Sequence, residues 1–152
     1  MTTGDSERIA RVECRFDADP RLIAGAAAIV GHVARRAGLA EAAASELSAA
    51  AQEACNAITR ALQRDERSNG RSEIQLAASA FPDHVEATLH PAPDQPTSES
   101  ARPSEQSQIA AEAIRQLLRN EPVDAVKVEA VNGYPAVTLI KASGKTERRF
   151  AS

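Results

Sequence analysis

The period of the hydrophobic pattern switches abruptly near the start of the chain. Val12, Cys14 and Phe16 alternate with Arg11, Glu13 and Arg15, a repeat of two that puts one side of a strand over Ile9 to Phe16 against a core. At Asp19-Pro20 the repeat changes. Asp19 is placed to cap a helix and Pro20 suits its first position. Leu22, Ala26, Ile29, Val30, Val33 and Ala37 then recur at helical spacing, until Gly38 offers a left-handed cap. A chain that passes from strand to helix so early must pack helices against a sheet.

The same reading extends to the end. A second helix is expected over 40–64, with Leu47, Ala50, Ala51, Ala54, Ile58, Ala61 and Leu62 on its apolar face, closed by the turn Ser68-Asn69-Gly70. Strands are expected over Glu73 to Ala80 and His84 to His90, joined tightly by Phe81-Pro82-Asp83. A third helix over Glu105 to Asn120 carries Ile109, Ala113, Ile114, Leu117 and Leu118, and Glu121-Pro122 stops it. Ala125 to Val131 and Ala136 to Lys141 form a last hairpin across Asn132-Gly133-Tyr134-Pro135. The fold class is therefore α+β: a two-layer sandwich of a mixed, mainly antiparallel sheet with helices on one face, in the order βααββαββ.

The 152 residues suit one domain over 9–142, with polar tails at 1–8 and 143–152. Residues 91–104 hold Pro91, Pro93, Pro96 and Pro103 among polar residues and are expected to be a long flexible loop. Aromatic residues make up only 3%, whereas alanine supplies about a fifth of the chain, so the core must be built from small aliphatic side chains. A net charge of −3 without a basic stripe speaks against direct nucleic-acid binding. No apolar run approaches the roughly 18 residues of a membrane span, and Met1 to Ile9 lacks a signal core, so a cytoplasmic protein is expected. Cys14 and Cys55 have no metal spacing and read as reduced core thiols. His32, His84 and His90 are dispersed and read as surface or edge residues.

The stretch with most chemical content is Gln52-Glu53-Ala54-Cys55-Asn56-Ala57-Ile58-Thr59-Arg60-Ala61, inside the second helix. Gln52 and Asn56 are four apart and share a face, with Glu53 close beside them. A carboxylate beside an amide carbonyl can hold magnesium and a water near phosphates. On spacing alone the three read first as an exposed or cap-like polar stripe of an amphipathic helix.

This stretch resembles the N-box of the GHKL (histidine kinase-like) ATPase superfamily, in the form found in bacterial anti-sigma factor serine kinases, where it reads Glu-x-x-x-Asn-Ala-x-x-His-Ala. The resemblance implies a histidine kinase-like fold, with 91–104 as the ATP lid and Ile109 to Leu118 as the helix after it. In that family the Glu is the base or positions water, and the Asn binds magnesium. Here the Glu position falls on Gln52, with Glu53 one residue off, and the His position falls on Arg60. A neutral amide cannot take up a proton as a carboxylate does. The family's Asp-x-Gly-x-Gly is replaced by His90-Pro91-Ala92-Pro93-Asp94-Gln95-Pro96, and there is no glycine between Gly70 and Gly133 to build a phosphate cradle.

The resemblance with these losses implies a pseudokinase-like regulator of transcription that holds a protein partner, such as a sigma factor or an anti-sigma antagonist, and needs no cofactor. A homodimer is implied as well, for which the first strand and first helix offer an edge. Two other expectations stay open. The first is an active ATP-dependent serine-protein kinase, in which Asn56 holds magnesium, Glu53 or Gln52 serves the catalytic position and Asp94 contacts adenine. The second is a small α+β binding module unrelated to nucleotides.

Overall fold

The structure, a computed structural model, describes residues 8–64, 73–92, 105–131 and 134–142; of the side chains in these segments, those of 62–64, 105–107, 131 and 134 are left aside. Eight elements follow one another: β1 (Ala10–Asp17), α1 (Pro20–Arg36), α2 (Glu41–Arg64), β2 (Glu73–Ala80), β3 (His84–Pro91), α3 (Glu105–Leu117), β4 (Ala125–Val131) and β5 (Tyr134–Ala142). The five strands make one sheet in the order β1-β2-β3-β5-β4. Every pairing is antiparallel, which corrects the mixed sheet expected from the sequence. The two helices between β1 and β2 return the chain to the neighbouring position running the opposite way, and the remaining neighbours include two hairpins, so no parallel crossover arises.

Register explains the two layers. Val12, Ala78, Ala87, Leu139 and Val126 lie in one row across the strands, and Cys14, Leu76, Leu89, Val137 and Val128 lie in the next. These rows point to the face on which all three helices pack. On the opposite face stand Glu13, Ala77, Thr88, Thr138 and Lys127. β2 and β3 accordingly alternate between buried and half-buried residues, the pattern of a sheet covered on one side.

Local signals set the helix ends. The Asp19 carboxylate accepts the Arg21 N–H at 2.8 Å, and Pro20 occupies the first turn. At the other end Gly38 has φ 100°, the Gly38 N–H donates to the Arg35 carbonyl, and the Leu39 N–H reaches back to Ala34, each at 3.0 Å. That is a Schellman cap, and the buried Leu39 completes it. α3 ends at Leu117, three residues before the expected Asn120. Its exit tightens into a bond from Arg119 to the Gln116 carbonyl, as the chain prepares for Pro122. β5 begins at Tyr134, two residues earlier than expected, because Val131 pairs with Tyr134. The link is thereby cut to Asn132-Gly133, which lies outside the described residues.

Two helix faces are rotated from their expected positions. In α1 the buried set is Ile23, Ala26, Ala27, Val30, Gly31, Val33 and Ala34, while Leu22 is exposed. In α3 the core stripe is Ala111 and Ile114, continued by Leu118 just past its end, and Ile109, Ala113 and Leu117 are exposed. Both sets have helical spacing, so periodicity alone does not choose between them. α2 keeps its expected face, with Leu47, Ala50, Ala51, Ala54 and Ile58 fully buried.

Small residues let α1 and α2 approach closely. A Cβ added at Gly31 would stand 3.2 Å from the Ser48 Cβ, and the Ser48 hydroxyl donates to the Ala27 carbonyl at 2.8 Å. α2 is tied to the sheet by the ion pair of Glu46 with Lys141, at 3.0 Å. The Lys141 ammonium also donates to the Pro122 carbonyl. Arg115 of α3 donates to the Val128 carbonyl of β4 at 2.8 Å.

Candidate functional site

The candidate positions sit on the last half of α2, on the margin between its buried stripe and its solvent side. Ala54, Cys55, Ala57 and Ile58 face the core. The 3.6-residue repeat therefore turns Gln52, Glu53 and Arg60 outward and leaves Asn56 half-buried between the two environments. Gln52, Asn56 and Arg60 follow one another at steps of four along one edge of the helix. Thr59 is turned inward, and its hydroxyl donates to the Cys55 carbonyl at 2.8 Å.

The turn after α3 supplies a further residue that the sequence reading used only as a helix stop. Burial first, and the negative charge of Glu53 second, push the Glu121 carboxyl above its ordinary range. The charge of Glu53 on α2 is thus felt at Glu121, in the turn between α3 and β4. Nothing in the local sequence of Glu121 announces this, since the pairing depends on how α3 is laid beside α2. The edge of α2 presents an amide at Gln52, a half-buried amide at Asn56 and the carboxylate of Glu53, whose charge is felt at Glu121. Chemically it can donate and accept hydrogen bonds. The negative pair disfavours a polyphosphate unless a cation intervenes.

Asp94 lies outside the described residues, as do the rest of the loop at 93–104, the turn Ser68-Asn69-Gly70 and the tails at 1–7 and 143–152. Among the described residues no group of three or more metal-ligating side chains is gathered in one place. Among them too, no helix is long and apolar enough to cross a membrane.

The cysteines lie on the core side of the fold. Cys55 is fully buried, and burial, followed by the nearby Cys14, pushes its thiol up to about 12. Cys14 is half-buried on β1, and burial raises its thiol as well. Neither has the lowered pKa of a nucleophilic thiol. Of the histidines, His32 is exposed on α1, and His90 on β3 approaches the Pro91 carbonyl through Nδ1 at 3.0 Å. His84 has the most developed surroundings. Its Nδ1 lies 2.6 Å from Asp83, its Nε2 lies 3.0 Å from Glu86, and its ring stacks on Phe81 with centroids 4.5 Å apart. Burial lowers its pKa, but the bonds and charges of the two carboxylates outweigh that and leave it raised. This cluster stabilises the β2–β3 turn, where the Phe81 N–H donates to the His84 carbonyl.

No protein-family model matches the chain, and no curated protein matches it either.

Proposed function

We propose that this chain is a regulatory protein of the GHKL superfamily, of the anti-sigma factor serine-kinase type, that works in the cytoplasm by binding a protein partner and has lost the chemistry of ATP. The partner would be a sigma factor or an antagonist of the anti-sigma system. The outward edge of α2, with Gln52, Glu53 and Arg60, would form part of the docking surface. The histidine kinase-like fold, with residues 91–104 as a lid remnant, belongs to the same proposal.

The observation that supports it most is the state of the α2 edge. The position where a base is required holds the neutral Gln52. Glu53, one residue off that position, adds its negative charge to the burial that raises the Glu121 carboxyl, so this side of α2 is unfavourable to a triphosphate. The missing glycines remove the backbone freedom that a phosphate cradle needs. An exposed helix edge of mixed polarity, by contrast, is suited to reading a protein surface.

Titration calorimetry of the chain with Mg-ATP tests the nucleotide part of the reading. No saturable heat in the micromolar range is expected. Micromolar binding that disappears in Asn56→Ala would replace this reading with an active serine kinase, in which Asn56 holds magnesium, Glu53 acts as base and Asp94 meets the adenine.

A further inference from the structure

α3 carries more apolar surface than the sheet covers. Ala111 and Ile114 are buried, yet Ile109, Ala113 and Leu117, at steps of four, form a second apolar stripe in solvent. Ile109 is 64% exposed and Leu117 is 55% exposed, so neither is a core residue at the margin of its contacts. A continuous exposed apolar stripe of this kind marks an interaction site.

The rotation of α3 fixes which way the stripe looks. Arg115 donates to the Val128 carbonyl of β4, the last strand of the sheet. Ala113 and Leu117 each stand two positions from Arg115, about 200° round the helix, and so lie on its other side. α2 is on that side, because it packs over β3 and β5 whereas α3 packs over β5 and β4. The Lys141 ammonium holds the two together, joining Glu46 of α2 to the Pro122 carbonyl in the turn after α3. The stripe is therefore one wall of a groove whose other wall is the α2 edge of Gln52, Asn56 and Arg60.

One end of that groove is negative. Glu121 follows Leu117 by a further step of four, and its N–H donates to the Leu118 carbonyl, so it prolongs the stripe past the helix. Burial and the charge of Glu53 both raise its carboxyl. Among the described residues neither Glu53 nor Glu121 has a cation in an ion pair. Glu112, by contrast, is already held by Arg115 and Gln116. A cation brought to Glu53 and Glu121 would relieve their repulsion. Arg60, about 10 Å further along α2 from Glu53, calls for an acid instead.

We propose that the groove between α2 and α3 takes one amphipathic helix of a partner protein. Its apolar residues, at steps of three and four, cover Ile109, Ala113 and Leu117; its lysine or arginine meets Glu53 and Glu121, and an acid lies toward Arg60. An extended strand gains nothing here, since the surface of a helix offers no free backbone groups. Anionic lipid would be repelled by the two carboxylates. The inference rests on the reading that α2 meets a protein, and names the chemistry of what it meets.

The probe is a synthetic helical peptide of about 15 residues, with leucines on one face, glutamates in its first half and lysines in its second. Fluorescence polarisation should show saturable binding, at least about tenfold tighter than for a peptide with the same leucines and glutamine at every charged position. Ile109→Gln with Leu117→Gln should weaken it by about tenfold or more, and so should Glu53→Gln with Glu121→Gln. Glu129→Gln, on the far face of the sheet, should leave it unchanged. Circular dichroism should be the same for all of these variants. No saturable binding, equal binding of the uncharged peptide, or indifference to Ile109→Gln with Leu117→Gln overturns the proposal. A sigma factor or antagonist held undiminished by Ile109→Gln with Leu117→Gln overturns it too, and leaves the functional reading standing. A chain that takes the peptide and none of those proteins supports the groove and overturns that reading.

Discussion

Replacing Leu47 by alanine should be among the most damaging single changes in this protein, for a reason specific to its core. Leu47 is fully buried in the first half of α2. The substitution removes three carbons, worth about 2.4 kcal/mol at about 0.8 kcal/mol per buried methylene. The cavity it leaves adds a further penalty that depends on how far the neighbours can close in. Among the described residues the buried cluster holds eleven alanines in 27. An alanine has no rotamer with which to fill a void, so closure would require whole helices to move. The cost should therefore lie toward the upper end of the Leu→Ala range, at about 4 kcal/mol. That is a large part of the roughly 5–15 kcal/mol that holds a domain together. Urea unfolding followed by circular dichroism should show the midpoint falling by about 2 M for a typical slope of about 2 kcal/mol/M. Leu47→Met, which keeps the volume, should lose less than about 1.5 kcal/mol. A loss below about 2 kcal/mol for Leu47→Ala would mean that the alanine-rich layer does collapse onto the cavity, and the reasoning would fail.

Gly31→Val should cost about 1–3 kcal/mol by thermal unfolding, because even its Cβ would press on Ser48 across the α1–α2 seam; a variant as stable as the wild type would show that the helices can part freely. Protonation of His84 is favoured by Asp83 and Glu86, so its folded pKa lies above the ordinary imidazole value of about 6.5. The resulting stability is present in full below that value and is lost as pH rises through the folded pKa. Unfolding midpoints measured from about pH 5.5 to about pH 8 should show this loss in the wild type and not in His84→Gln. For Glu121, whose pKa is raised by burial and by Glu53, Glu53→Gln should lower the carboxyl titration followed by NMR while leaving it above the ordinary range. An unmoved titration would separate the two residues.

The fold was legible where one pattern had one reading. The alternation from Arg11 to Phe16 located β1, and Asp19-Pro20 and Gly38 located the ends of α1. Alternating runs located β2 and β3, and Asn132-Gly133 marked the last link. The misses have a common cause. Leu22 against Ile23, and Ile109 against Ala111, are choices of helix rotation that only the packing partner decides. The sheet was expected to be mixed because local pattern carries no direction; strand direction follows from how α1 and α2 bring the chain back. At the candidate site, Gln52, Glu53 and Asn56 were visible as a helix edge because a helix fixes its own geometry. The link between Glu53 and Glu121 was not, since Glu121 comes from a turn 68 positions away in the chain.

Under the proposed function this chain regulates by holding a protein and not by transferring phosphate. Its most direct test is the affinity of the purified chain for the purified sigma factors and anti-sigma antagonists of its own organism, measured by surface plasmon resonance with and without Mg-ATP. One of them should bind, with the same affinity in both conditions, and charge reversal at Arg60 together with Gln52→Lys should weaken that binding by about tenfold or more. Binding that appears only with Mg-ATP, or no binding to any of these proteins, would contradict the claim.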